Sequence, residues 1–339
     1  MHKRHDGRNE PIVDPELPII DAHHHLMDKK GVRYLLGDIV DDVSAGHNII
    51  ATVYVESHSM MRADGPELIR PVGETEFANG VAAMSASGGY GPCRINSAIV
   101  AFADLSAGSQ VAETLDAHIA AGGNRFRGIR QVAIWHPSPD PYRFIMTRPV
   151  KDLMTGVGFR AGFSQLAKRG LSFDAAVFHP QLGELAGLAD EFPDTPIVLN
   201  HLGFAMAMGT VERARKEVFK IWRSSLRELA RRPNVMVKVG GLGMPFWGFG
   251  FEERKDPVGF EELAETWAPY VETGIEIFGA DRCMMQSNFP ADGHSCGYVP
   301  LWNALKTIVK SYSPADKAKL FSRTASRVYN IPIDFAADL

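Results

Sequence analysis

Cysteine is scarce: Cys93, Cys283 and Cys296 are the only three in 339 residues, and no CxxC pair occurs. That argues against a disulfide framework or a structural zinc site and fits a reducing, cytoplasmic setting. No apolar run approaches the ~18 residues needed to span a bilayer, and the opening MHKRHDGRNE has no apolar core behind its basic residues, so neither a membrane role nor a secretion signal is expected. Excess positive charge is also missing. Lys and Arg total 36 against 40 Asp and Glu, scattered along the chain, which excludes a dedicated nucleic-acid binder. No GxSxG occurs, so there is no nucleophile elbow. The first strand-like run is not followed by a glycine-rich phosphate loop; Asp21-Ala22-His23-His24-His25 stands there instead. No internal repeat, low-complexity tract or sharp domain boundary is visible.

What is present is a regular alternation. Apolar, strand-like runs fall at 18–26, 48–57, 96–104, 125–135, 172–179, 196–201, 234–240 and 282–289. Helical spacing fills the intervals at 32–45, 74–87, 107–121, 151–169, 182–192, 211–232 and 261–278, and closing helices occupy 299–329. Continuous apolar strands imply sheets buried on both faces. Eight strand–helix pairs in order predict an α/β fold of the (β/α)8 TIM-barrel type. The expected organisation is an N-terminal arm at 1–17, one barrel domain at 18–332 and a short tail at 333–339.

Barrel enzymes carry their chemistry at the C-terminal strand ends, and here those ends are polar. Strand alternation predicts Asp21, His23 and His25 on one face and His24 on the other. Two imidazoles so placed could hold a metal ion or a substrate oxygen, with Asp21 orienting one of them, or form a hydrogen-bonded structural cluster. Glu56 ends the second strand as a ligand, general base or salt-bridge partner. Arg127 and Arg130 lie on the fourth. One arginine facing the mouth would bind a carboxylate while the other makes a structural pair, and Arg130 is favoured for the mouth. His179 and His201 end the fifth and sixth strands, where a lone histidine is often structural but two at one barrel end suggest a site. The loop at 241–251, GLGMPFWGFGF, offers Trp247 as a substrate-ring contact within a lid; the other reading is a contact between copies in a homo-oligomer.

The motifs Asp21–His25, Phe126-Arg127-Gly128-Ile129-Arg130-Gln131, Val198-Leu199-Asn200-His201-Leu202-Gly203 and Ser287-Asn288-Phe289-Pro290 together resemble the amidohydrolase superfamily. The nearest branch contains 2-pyrone-4,6-dicarboxylate lactonase and sugar lactonases, and residues 320–329 are similar to its closing helix. The likeness runs from about residue 18 to 330. It implies a barrel hydrolase acting on a carbonyl. In metal-dependent members, residues matching His23, His25, His179 and His201 hold a divalent ion, zinc first and manganese second. In metal-free lactonases the matching histidines polarise the carbonyl, and an arginine matching Arg130 holds a substrate carboxylate.

In the family a strand-8 aspartate activates water, and this sequence departs from that pattern with Asn288. An amide cannot take up a proton near neutral pH. A related subgroup reads Asn-Phe-Pro-Val-Asp at this point, against Asn288-Phe289-Pro290-Ala291-Asp292 here, so Asp292 and Glu56 are the replacement bases. The leading expectation is hydrolysis of a small carboxylated lactone. The alternatives are a metal-dependent decarboxylase or hydratase of an aromatic or unsaturated acid, and a binding barrel without activity.

Overall fold

The strands form where short β-branched runs can bury both faces. The computed structural model describes residues 10–29, 31–145, 147–256 and 258–333. The barrel strands are β1 (Ile19–His24), β2 (Ile49–Val55), β3 (Arg94–Ala101), β4 (Phe126–Arg130), β5 (Ser172–Ala175), β6 (Ile197–Leu199), β7 (Val235–Val239) and β8 (Cys283–Met285). They lie parallel in one sheet in chain order. The helices that follow them in turn are α1 (Leu36–Val43), α2 (Val72–Ala86), α3 (Val111–Gly122), α4 (Val157–Ala167), α5 (Leu182–Glu191), α6 (Glu212–Leu229), α7 (Phe260–Phe278) and α8 (Tyr298–Ile308). Closing helical turns at Pro314–Ala318, Lys319–Arg323 and Thr324–Val328 finish the chain. The expected barrel is therefore present. No described helix is long and apolar enough to cross a membrane.

The core has two layers. One lies between sheet and helices and takes in the large rings, among them Trp222, Trp267 and Phe173. The other fills the barrel interior with alternate strand residues: Ile20, Ala22, Val53, Val55, Val100, Val198 and Met284. On α6, Trp222, Leu226 and Leu229 are buried while most other positions are charged, and the Trp222 indole N–H donates to Leu202 O at 2.7 Å. Each such large apolar side chain contributes about 1.5–3 kcal/mol.

The observed strands are shorter than the apolar runs predict. β4 ends at Arg130, β5 at Ala175 and β6 at Leu199, so His136, His179 and His201 sit in the turns beyond. The helix expected at 32–45 starts only at Leu36, because Val32–Tyr34 pairs antiparallel with Met27–Lys29 as a hairpin beside the mouth.

The seam between β8 and β1 has no regular ladder. Asn288 N–H donates to His23 O at 2.8 Å, His25 N–H donates to Phe289 O at 2.7 Å, and His24 and Phe289 form a lone parallel bridge. Of the expected N-terminal arm, residues 10–17 lie against α8, where Val13 N–H donates to Asn303 and the Asn303 amide donates to Pro11 O. Residues 1–9, and all of the expected tail beyond 333, lie outside the described residues.

Candidate active site

β1 delivers two imidazoles to the mouth, though not by simple alternation. The β1–β2 ladder shifts register between Asp21 and His24. Asp21 consequently turns away from the His23 ring: it accepts hydrogen bonds from the His23 backbone N–H (3.3 Å), Ser287 N–H (2.8 Å), Ser287 Oγ (2.6 Å) and the Tyr298 hydroxyl on α8 (3.1 Å). It ties the seam together and orients no imidazole, which corrects the expected shared face. Burial raises its pKa to about 6. His23 and His25 do converge, with Nε2 atoms 3.2 Å apart. His25 Nδ1 lies 2.8 Å from Val55 O, which makes Nδ1 the protonated nitrogen and Nε2 the acceptor. His24 faces the helices and meets Thr52 Oγ1 at 2.8 Å.

His201 comes from the turn after β6 with φ at 53°, a left-handed backbone that suggests functional strain. Its ring lies 4.5 Å from that of His23. The Gln286 side-chain amide lies 2.5 Å from His201 Nδ1; with its nitrogen turned to the ring it donates, and the His201 proton is then on Nε2. The Gly240-Gly241 turn after β7 permits this contact. A Cβ on Gly241, at φ 71°, would stand 2.4 Å from His201 Nδ1, and one on Gly240 would stand 2.4 Å from Gln286 O. All three imidazoles are held neutral. Burial, then neighbouring cations, pushes His23 and His201 well below the usual histidine range and His25 down to about 3.

Glu56 and Arg130 face each other across the mouth. Arg130 Nε donates to Glu56 Oε1 at 2.6 Å and Nη2 to Glu56 O at 2.5 Å. Burial alone would raise the Glu56 pKa, but the Arg130 and His58 charges outweigh it and hold the carboxyl below its ordinary range. The guanidinium holds this carboxylate as its counter-ion, and this counts against the base role for Glu56. Arg130 in turn has only Nη1 outside the pair, 3.3 Å from His23 Nε2, so it is not a free two-pronged carboxylate clamp.

Asn288, at φ 56°, donates its amide N–H to Asp292 Oδ1 at 2.7 Å, while Gly243 N–H donates to Asp292 Oδ2 at 2.8 Å. The Asn288 carbonyl oxygen is thereby turned to His25, where it accepts a hydrogen bond only from the protonated ring. Asp292 is fully buried and does not border the cavity; burial raises its pKa to about 7. It positions Asn288 and does not itself reach the mouth.

These groups border a cavity of about 330 Å³ at the C-terminal end of the barrel. His25, Glu56, Arg130, His201 and Asn288 supply its polar floor. Met27, Val32, Phe144, Phe204, Met244 and Phe246 supply apolar walls, and Arg143 and His294 stand on its rim. Other expected members lie elsewhere. Trp247 is fully buried against Trp222 of α6 and Tyr270 of α7, and its indole N–H donates to Gly241 O at 2.8 Å. The expected aromatic lid is largely a packed wedge because those rings find partners in the helix layer. Arg127 points to the opposite barrel face and donates to Tyr329 O (2.7 Å) and Asn330 O (3.2 Å). His179 accepts from Met206 N–H at 3.1 Å, and burial lowers its pKa to about 4. The sequence places Lys238 at the polar end of the seventh strand without a role; Gln286 and the rim residues were missed. Gln286 directly precedes the Ser-Asn-Phe-Pro motif, a signal that would have found it; Arg143 and His294 carry no local pattern.

The donor set does not fit a divalent ion. His23 has Arg130 Nη1 at 3.3 Å from one nitrogen and Lys238 Nζ at 3.4 Å from the other, so an ion there would sit beside two cations. The nearest carboxylate, Glu56, is committed to Arg130, and His179 does not border the cavity. Among the described residues no group of three His, Cys, Asp or Glu is arranged to hold a metal.

The sequence pattern of the amidohydrolase family matches residues 20–331. An uncharacterized Sinorhizobium fredii protein, y4mH, is 30% identical over 338 residues, covering 93% of this chain and 99% of that one. An L-fucono-1,5-lactonase of Burkholderia multivorans is 24% identical over 326 residues, covering 92% and 96%. The crystal structure of a Burkholderia multivorans amidohydrolase with bound zinc superposes with a TM-score of 0.70 at 22% identity, covering 93% and 99%. With its barrel, its paired β1 histidines and a family match across nearly its whole length, the chain belongs to the amidohydrolase family and is a hydrolase-type enzyme.

Proposed function

We propose that this enzyme opens a small lactone by water attack, with the chain's own residues supplying the chemistry. The observation that carries the reading is the complementary proton state of two imidazoles bordering one cavity. His201 presents Nε2–H, a donor, and His25 presents Nε2, an acceptor. The cavity volume lies at the small end of the range for ligand sites, which suits a single substituted ring. The lactonase relative supports the same substrate class.

In this mechanism the lactone carbonyl oxygen lies against His201 Nε2–H and the free Nη1 of Arg130. Water attacks the carbonyl carbon and gives its proton to His25 Nε2. The new imidazolium has acceptors for both N–H groups, Val55 O and the Asn288 side-chain oxygen. This gives Asn288 a task that needs an acceptor and no proton transfer. The tetrahedral oxyanion then re-forms the carbonyl and expels the ring oxygen, which recovers the proton from His25. The product is the open hydroxy acid.

The Arg130–Glu56 pair removes the carboxylate clamp on which the carboxylated-substrate expectation rested. The rim cation Arg143 is the remaining candidate for such a group, so carboxylated and neutral lactones both belong in the screen. The test is a proton-release assay over sugar-acid and pyrone lactones. The expected result is turnover of at least one lactone, lowered about 10²–10³-fold in kcat by His201→Ala. No lactone turnover, together with carbon dioxide release from a hydroxybenzoate, would replace the reading with the decarboxylase alternative.

A further inference from the structure

Lys238 is a fully buried lysine at the site, and the mechanism above does not use it. It lies on β7 and reaches into the barrel. Its Nζ donates to Asp174 Oδ2 at 2.7 Å, lies 3.4 Å from His23 Nδ1 and sits 5.0 Å from the centre of the Tyr329 ring. Asp174 is itself fixed from two further sides. Asn200 donates to it at 2.9 Å, and the Tyr329 hydroxyl bridges both its oxygens at 2.9 and 3.0 Å. Tyr329 follows the closing helix, whose backbone Arg127 grips from the opposite face of the barrel.

The contacts of His23 decide where its proton sits. Three groups approach its nitrogens: Lys238 Nζ at Nδ1, and His25 Nε2 and Arg130 Nη1 at Nε2. With the proton on Nδ1, that N–H meets the lysine donor, and two unprotonated Nε2 atoms face each other at 3.2 Å. Only the Arg130 contact is then satisfied. With the proton on Nε2, Lys238 donates to Nδ1 and His23 donates to His25, and only the Arg130 contact is mismatched. The second arrangement satisfies two contacts of three, the first one of three. It also runs in one direction: Lys238 to His23, His23 to His25, His25 to Val55 O.

We propose that Lys238, held in place by Asp174 and Tyr329, is a positioning residue that fixes His23 as the Nε2–H tautomer. Its consequence rests on the hydrolase reading. In the empty site His23 Nε2–H occupies the lone pair of His25. The carbonyl oxygen is held by Arg130 and His201, which border the cavity as His23 does not, and breaking of the His23–His25 hydrogen bond releases His25 Nε2 for water. Donor and base thus mask each other until a carbonyl enters.

The test is the long-range proton–nitrogen spectrum of the full chain labelled with nitrogen-15 histidine, with His23 assigned by comparison with His23→Gln. The expected result is an unprotonated Nδ1 and a protonated Nε2 at His23 in the unaltered protein. In Lys238→Met these resonances should move to a mixture of tautomers, while kcat falls roughly 10–100-fold and KM stays within about twofold. Should Lys238→Met not fold, Asp174→Asn/Lys238→Met removes cation and anion together and carries the same expectation. A protonated Nδ1 in the unaltered protein, or an unchanged tautomer after loss of Lys238, overturns the proposal. The spectra need no substrate. A tautomer that responds to Lys238 in a protein that opens no lactone therefore leaves this assignment standing and sinks only the hydrolase reading.

Discussion

At the residue scale, the site is built from neutral imidazoles whose proton positions are set by their outer partners. A pH dependence follows. His25 acts as an acceptor only when neutral, and burial, assisted by the Arg130 charge, lowers its pKa to about 3. Activity is then present above that pKa and lost only as pH falls towards it. The profile of kcat/KM should show no imidazole limb between pH 5 and 8, and a limb near the ordinary histidine value of about 6.5 would contradict the neutral-base assignment. A limb near 7 that vanishes in Asp292→Asn would belong to Asp292, whose buried carboxyl titrates there. Gly241 gives a steric test. Its alanine variant places a methyl group 2.4 Å from His201 Nδ1 and breaks the Gln286 contact. The expected outcome is a kcat lowered roughly 100-fold with KM little changed, read from steady-state kinetics.

At the element scale, the loop after β2 is held by one carboxyl of α2. Glu74 Oε1 accepts from Tyr54 Oη (2.7 Å), Ser57 N–H (2.7 Å), Ser57 Oγ (3.1 Å) and Ser59 N–H (3.2 Å). This fixes the segment that carries Glu56 and His58 to the mouth. Burial, then the Glu56 charge, raises the Glu74 pKa from 4.5 to about 7. The folded protein therefore keeps a proton that the unfolded chain releases between these values, and stability from this group declines as pH rises through that window. Glu74→Gln keeps an oxygen acceptor and removes the titration. Relative to the unaltered protein, the variant should gain on the order of 2–3 kcal/mol in unfolding free energy between pH 5 and 8, measured by denaturant titration at both values. The absolute effect of the substitution is not the test; its change with pH is.

At the scale of the molecule, the barrel was legible because eight short apolar runs alternate with helical spacing, a pattern that depends on burial alone. The convergence of His23, His25 and His201 was legible because a strand end in this fold has only one place to be. What was not legible depended on contacts distant in sequence. Nothing near Trp247 says that Trp222 and Tyr270 will enclose it. Nothing near Arg127 says that Tyr329 and Asn330 will take its donors, and the Glu56 pairing that occupies Arg130 spans 74 residues. The face taken by Asp21 was misread because a register shift within β1 cannot be seen in a residue pattern whose period is two.

The seam between β8 and β1 ties the fate of the site to one place in the fold. Every other neighbouring pair of strands is joined by a parallel ladder, in places with a register shift. Here it is closed by the backbone of Asn288 and Phe289 against His23 and His25, and by the side chain of Asp21. A sparsely bonded junction is where local opening costs least, well below the free energy of global unfolding. Opening this one separates the β1 histidines from Asn288 while the other strands stay paired. On gradual warming, catalysis should fail several degrees before the helical circular-dichroism signal does, and amide exchange should begin at residues 23–25 and 288–289. Coincident loss of activity and helicity would place the weakest point of the barrel elsewhere. The molecule would then be an enzyme whose shape outlasts its chemistry, recoverable on cooling for as long as only the seam has parted.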